Sequence, residues 1–361
     1  MIELLERCVR IPSPSGQEQQ VALFLRDEML RRGFDRAYID EVGNVVGVIG
    51  SGNRQFMLLG HMDTVSGEVP VRYQDGKLYG RGTVDAKGPL CAFVLAAEAL
   101  QTTIRHNDAQ VIVVGAVEEE CASSRGARHV AQQYRPDFCV IGEPSGTYGI
   151  TLGYKGRLLI SARIEQPMRH TAVPEPSACE IAVSLWNHVV QLADAWNVGK
   201  SSTFDQILPS LRRLQSGDDG LREWCEILIG ARLPLGYGPP ELRAAAEQWQ
   251  AAQAAQQTAI TMRFEAAEPA WRAPRNTALA RAFVEAVRAM GMRPTFKLKT
   301  GTSDFNVVGP AWQCPLVAYG PGDSSLDHTP DEHVVIEEFE KSVAILTRAL
   351  RLLLTDITSL A

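Results

Sequence analysis

The 361-residue chain is 45% hydrophobic and 22% charged, proportions of a folded globular protein that exclude an extended disordered one. Its formal net charge of −6 gives no global attraction for nucleic acid or an anionic membrane, and no apolar run reaches the roughly 18 residues that span a bilayer. The opening MIELLERCVRIPSPSG has no basic stretch followed by a sustained apolar one, so no secretory signal is expected. Seven widely spaced cysteines without a CxxC are expected to be reduced thiols in a cytoplasmic protein.

In chain order, helices are predicted over 2–10 and 17–32. In the second, Val21, Phe24, Leu25 and Met29 share a face, Ser15 is the expected N-cap, and Gly33 is the stop. Short apolar runs bounded by turn residues follow at 44–50, 56–60, 111–117, 138–142 and 315–320. Apolar without alternation, they suit strands covered on both faces, as in a central, mostly parallel α/β sheet. Helical stretches at 87–100, 123–134, 277–290 and 336–354 supply the covers.

The stretch from 154 to 268 reads strand, helix, strand, strand, helix, strand, its second helix at 240–255. That βαββαβ order is the ferredoxin-like, split-βαβ pattern of a small separate domain. Apolar α/β material resumes after it, so the expected division is a catalytic domain of 1–153 and 269–361 with an inserted lid of 154–268.

In open α/β sheets ligands sit beyond the carboxyl ends of the strands. His61-Met62-Asp63 follows the run at 56–60, Glu118-Glu119-Glu120 follows 111–117, Glu143 follows 138–142, and His328 lies on the Gly-rich loop after 315–320. Asp85 ends the loop GRGTVD at the mouth of the 87–100 helix. A lone acid or His at a strand end is ordinary solvated surface, and three glutamates can simply open a helix. Five such positions converging on one sheet edge are a different matter, because carboxylates packed without cations repel or take up protons. A pair of divalent ions removes that cost. A His/Asp/Glu set without Cys suits Zn²⁺, and also Co²⁺ or Mn²⁺, and one carboxylate can bridge two ions about 3.5–4 Å apart.

HMD, GRGTVDAKG, EEE followed by SSRGA, IGEPS, GTSDFN and LDHTP, in this order, resemble the M20 family of metallopeptidases and deacylases over nearly the whole chain. The resemblance implies that His61, Asp85 and Glu143 hold one metal and Asp85, Glu120 and His328 the other. It makes Asp63 the residue that orients His61 and Glu119 the general base. It also implies a homodimer formed through the lid, with His170 reaching the partner's site as an oxyanion donor; without the family, His170 reads as a solvated loop residue. The family commonly has Asp where Glu118 stands, and the lid is short for the family.

YKGRLL, KLKTGTSDFN and VAYGPGDSSLDHTP further resemble the hydrolases that release lysine, sometimes ornithine, from the γ-glutamyl C-terminus of an amino-group carrier protein in lysine and arginine biosynthesis. For such a substrate Arg275 is the candidate for the α-carboxylate, Gly301, Thr302 and Ser303 are candidate donors, and Asp304 is a candidate for the lysine ammonium. Lys155 and Arg157 are candidates to meet an acidic carrier, or are ordinary hinge charges. A succinyl-diaminopimelate desuccinylase or N-acyl amino acid deacylase with the same centre is the alternative enzyme. A metal-dependent peptide- or carrier-binding protein is the alternative outside enzymes, although a pure binder has no use for Glu119. GRGTVDAKG lacks the GxGxxG spacing of a dinucleotide loop.

Overall fold

The computed structural model describes all residues except 171, 173, 254–257 and 356–361. Contacts divide the chain into two units: Met1–Gly153 with Arg272–Leu298 and Ser303–Ala361, and Tyr154–Trp271 with Lys299–Thr302. No helix of the described residues is long and apolar enough to cross a membrane.

The first unit is built on a sheet whose strands in chain order are β1 (Arg36–Ile39), β2 (Val45–Gly50), β3 (Arg54–His61), then β6 (Ala109–Ala116), β7 (Phe138–Gly142) and β8 (Gly149–Tyr154), with β15 (Leu316–Ala318) returning late; β4 (Arg72–Gln74) and β5 (Lys77–Tyr79) form a small separate sheet with β16 (His333–Val335). The order is β1-β2-β6-β3-β7-β15-β8, with two short strands (Trp271–Arg272 and Thr295–Lys299) at the β8 edge. The four middle strands, β6-β3-β7-β15, run parallel, and the flanking pairs are antiparallel. The sheet is therefore mixed, with its parallel part in the middle, where four of the five predicted apolar runs lie; the run at 44–50 is β2, antiparallel to both its neighbours. Those strands are buried along their length, from Phe56 to His61 in β3 and throughout β7.

Helices α1 (Ile2–Val9), α2 (Gln19–Arg31), α3 (Lys87–Ala99), α8 (Ala278–Ala289) and α10 (Ile336–Thr355) pack their apolar faces into one core with the sheet. Helix α3 is buried from Lys87 to Ala97, as its uninterrupted run of small and apolar residues requires. Gly33, at φ +82°, ends α2 in a conformation that L side chains rarely adopt. The expected cap of α2 differs: Glu18 takes the N-cap position with no side-chain cap bond. Ser15 instead donates to Asp63 Oδ2 at 2.7 Å, a charged acceptor offering more than a helix N–H.

The second unit is a four-stranded antiparallel sheet, order β10-β11-β9-β12, of β9 (Gly156–Pro167), β10 (Leu208–Asp218), β11 (Arg222–Leu233) and β12 (Ala259–Glu268). With α6 (Ala178–Asn197) and α7 (Pro239–Ala252) this is the βαββαβ arrangement, and it has its own core around Leu185, Val189, Ile227 and Ile229. Helix α6 starts on a capping box, Ser177 with Glu180. Of the helix predicted over 240–255, the end at 254–255 lies outside the described residues.

Candidate metal centre

Parallel register aligns the strand ends that carry the donors. His61 pairs with Ala116 and Gly60 with Gly142, so His61, the glutamates after β6 and Glu143 after β7 emerge along one edge. Asp85 comes from the turn before α3, and His328 from the loop leading to β16. His61 Nε2 stands 3.2 Å from Asp85 Oδ1, 3.9 Å from Glu119 Oε2 and 4.0 Å from Glu143 Oε1. His328 Nε2 stands 3.0 Å from Asp85 Oδ2 and 2.9 Å from Glu120 Oε1. Asp85 thus faces both imidazoles through different oxygens. Two groups of donor atoms lie within 4.8 Å of one another, His61-Asp85-Glu120 and His61-Glu119-Glu143. His328 is held at φ +61°, a left-handed conformation that costs of order 1–3 kcal/mol and recurs at functional sites.

Buried carboxylates shape the turns beneath these donors. Asp63, fully buried, accepts from the backbone N–H of Glu119 (3.1 Å) and of Glu120 (3.0 Å), and lies 3.3 Å from His61 Nδ1. His61 Nδ1 also lies 3.1 Å from the Asp63 carbonyl, leaving Nε2 to face the centre. Glu18 accepts from Glu118 N–H at 3.1 Å. The Glu118 side chain turns elsewhere, to Ser123 (2.6 Å) and Arg125 (2.9 Å), on a backbone at φ +57°. The 82–85 turn is gripped by Glu332, which accepts from the N–H groups of Gly82, Val84 and Asp85. Sequence reasoning missed Glu18 and Glu332 because the N–H groups that tie them to the centre, those of Glu118 and of the 82–85 turn, are remote in sequence. The only available hint was that Glu332 follows His328 by four residues.

The electrostatics call for added positive charge. Burial pushes Glu119 well above the ordinary carboxylate range; His61 opposes this, while Glu143 and Asp304 add to it. Burial likewise raises Glu120, against its bond to His328. Asp85 is lowered, because His328 and His61 outweigh its burial. Bonds to Asp85 and Glu120 push His328 up to about 10. His61 is raised although its burial works the other way, Asp63 and Asp85 prevailing. The same carboxylates that raise these imidazoles would favour a bound cation in place of their protons. The donor set of imidazoles and carboxylates, with no thiolate among them, fits divalent cations.

The expected substrate residues fare differently. Arg275 lays its guanidinium 4.3 Å above the Phe296 ring, in a surface groove of about 970 Å³ shared with Arg281, Arg288 and Arg293. None of the metal-centre residues lines this groove. Lys155 is buried, not a surface for an acidic carrier. Its ammonium donates to the carbonyls of Thr203, Phe204 and Gln206, because a buried cation must be bonded. Thr302 donates to the Lys155 carbonyl (2.9 Å) and accepts from Arg232 (2.7 Å). Ser303 caps the helix Asp304–Trp312. Those two hydroxyls are engaged within the chain, and a Cβ placed at Gly301 would meet nothing within 4 Å. Asp304 is buried and adds its charge to Glu119. His170 is exposed, its Nδ1 accepting from Ala172 N–H; residues 171 and 173 of its loop lie outside the described residues.

A paired His/carboxylate centre at the carboxyl edge of a mixed α/β sheet defines a metal-dependent amide hydrolase. The model of peptidase family M20/M25/M40 matches residues 57–352, and the chain belongs to that family, which implies a dinuclear metal centre. It is 48% identical over 352 residues to a [LysW]-lysine hydrolase of Deinococcus radiodurans, covering 96% of this chain and 95% of the relative. It is 27% identical to a [LysW]-lysine/[LysW]-ornithine hydrolase of Sulfurisphaera tokodaii, covering 93% and 90%. Among solved structures it is similar in fold to an M20 family metallo-carboxypeptidase from Sulfolobus solfataricus (TM-score 0.79, 15% identity, 97% of this chain and 98% of that one). A tripeptidase from Staphylococcus aureus is similar too (TM-score 0.77, 18% identity, 98% of each chain).

Proposed function

We propose that this enzyme releases lysine, with ornithine as a second product, from the γ-glutamyl C-terminus of an amino-group carrier protein during amino-acid biosynthesis in the cytoplasm. The observation that carries the substrate is the 48% identity, over nearly the full length of both chains, to a [LysW]-lysine hydrolase. In this reading His61, Asp85 and Glu143 hold one ion, Asp85, Glu120 and His328 the second, and Zn²⁺ is the native metal with Co²⁺ able to replace it. When bound, the ions supply Lewis acidity toward the amide carbonyl and toward water.

The chain's own residues supply the rest. Asp63 fixes the imidazole of His61 so that Nε2 faces the centre. Glu119 takes the proton from the attacking water and returns it to the leaving amine; burial, the main cause of its raised pKa, makes it the stronger base for the first half of that transfer. Glu118, tied to Ser123 and Arg125, stays out of the chemistry. A homodimer through the second unit supplies His170 to the neighbouring site. The edge strand β10, which exposes Leu211 and Leu214, is a surface such a pairing would cover.

The test is mass spectrometry of a carrier-lysine conjugate, and of a γ-glutamyl-lysine peptide, incubated with metal-loaded enzyme. Lysine release is expected from both, and none from succinyl-diaminopimelate or N-acetyl-lysine. Turnover confined to the succinyl or acetyl compounds would overturn the substrate. Glu119→Ala should retain both ions and lose about 10²–10⁴ in turnover; unchanged turnover removes Glu119 from the mechanism.

A further inference from the structure

We infer that Glu332 is a positioning residue of the metal centre: its buried carboxylate holds the 82–85 turn so that Asp85 stands ready between His61 and His328. The inference rests on the ligand set proposed above and adds to it a residue that set does not contain.

Glu332 has no exposed surface. One oxygen, Oε1, accepts from three consecutive-turn amides, Gly82 N–H at 2.9 Å, Val84 N–H at 3.0 Å and Asp85 N–H at 3.2 Å. The other, Oε2, accepts from Arg81 at 2.7 Å. A turn whose N–H groups converge is a receptor for an anion, and here the chain fills it with its own carboxylate, the strongest acceptor it has. Further bonds, two of main chain and one from the Arg81 guanidinium, tie the same segments together. Gly80 N–H donates to the Glu332 carbonyl at 3.2 Å, Arg81 reaches the Thr329 carbonyl at 3.2 Å, and His333 pairs with Tyr79 across β16 and β5.

The consequence for the centre is geometric. Asp85 has its N–H fixed by Glu332 while its carboxylate points to His61 (3.2 Å) and His328 (3.0 Å). His328 itself lies four residues before Glu332. A single carboxylate therefore sets the spacing of two loops that supply a bridging ligand and an imidazole. Without it three buried N–H groups lose their acceptor, the turn relaxes, and Asp85 has to be ordered by the incoming ions themselves.

The experiment uses the full chain as wild type, Glu332→Gln and Glu332→Ala, each titrated with Zn²⁺ against a chromophoric chelator. Denaturant unfolding of the metal-free proteins runs in parallel. The wild type should take up two ions. Glu332→Ala should lose roughly 10–100-fold in affinity for the second ion, the range for residues that orient ligands. Glu332→Gln, which keeps one carbonyl oxygen for the amides, should lose less. Should the Ala variant not fold, the Gln variant decides. A purely structural residue would lower the unfolding midpoint and leave ion affinities of the folded protein unchanged, and that result for Glu332→Gln overturns the inference. A wild type that binds fewer than two ions overturns the ligand set beneath it, which is a separate and recognisable result.

Discussion

Asp63→Asn tests how the catalytic turn is held. The wild-type carboxylate is buried and serves four partners: Ser15 Oγ at 2.7 Å and Glu120 N–H at 3.0 Å on Oδ2, Glu119 N–H at 3.1 Å and His61 Nδ1 at 3.3 Å on Oδ1. An asparagine has only one oxygen. With its carbonyl in the Oδ1 place it keeps Glu119 and His61, and Ser15 can rotate to accept from the amide nitrogen. The Glu120 N–H then faces an NH₂ group and loses its acceptor. The reversed orientation strands both Glu119 N–H and His61, and is the worse of the two. One buried N–H left unsatisfied costs about 1–3 kcal/mol, and exchanging charged for neutral acceptors adds about 1 kcal/mol, so the expected loss of stability is about 2–4 kcal/mol. The loosened residue is Glu120, so Zn²⁺ affinity should fall roughly 10-fold or more alongside. Denaturant unfolding and chelator competition measure the two. An Asp63→Asn protein with wild-type stability and wild-type ion affinity refutes the argument that Asp63 pins the glutamate turn.

Metal removal should lower the melting temperature, since each ion bound only by the folded state at 100 times its Kd contributes about 2.7 kcal/mol; scans in chelator and in excess Zn²⁺ that coincide would count against the centre. Glu28 tests a pH dependence away from the site. Its burial raises the carboxyl, but bonds to Arg31 and Arg7 outweigh that and its pKa is lowered. A lowered carboxylate stabilises the fold above its unfolded value of about 4.3, and that contribution is lost as pH falls through the folded value. Glu28→Gln should therefore cost about 1 kcal/mol at pH 7, allowing for exposed arginines, and nothing near pH 2. A difference that is constant from pH 7 to pH 2 would show that charge is not the cause.

Local pattern explains why so much was legible. Short apolar runs without alternation suit strands covered on both faces, and four of the five became the parallel middle of the sheet, the run at 44–50 lying beside it as the antiparallel β2. Residues after a parallel strand's carboxyl end share an edge whatever the loops do, so the convergence of His61, the three glutamates at 118–120 and Glu143 was readable from position, while the choice among the glutamates came from the family resemblance. Outlying strands such as β1, which alternates between half-buried and exposed, carried no comparable signal. Lys155 shows the opposite limit: beside Arg157 and the glycine turn it reads as hinge surface, and burial beneath three carbonyls gives it another task.

The main apolar strands, their covering helices and the gathering of ionisable residues at one strand-end edge were readable in the chain alone, because periodicity and strand-end position are local properties. Which carboxylates bear on one another was decided by the tertiary structure. Ser15 left a helix cap for Asp63, Asp63 took hold of the amides of Glu119 and Glu120, and Glu332 took hold of the Asp85 turn. Such pairings depend on burial and on partners far away in sequence, and a buried carboxylate takes whatever N–H groups the fold brings to it.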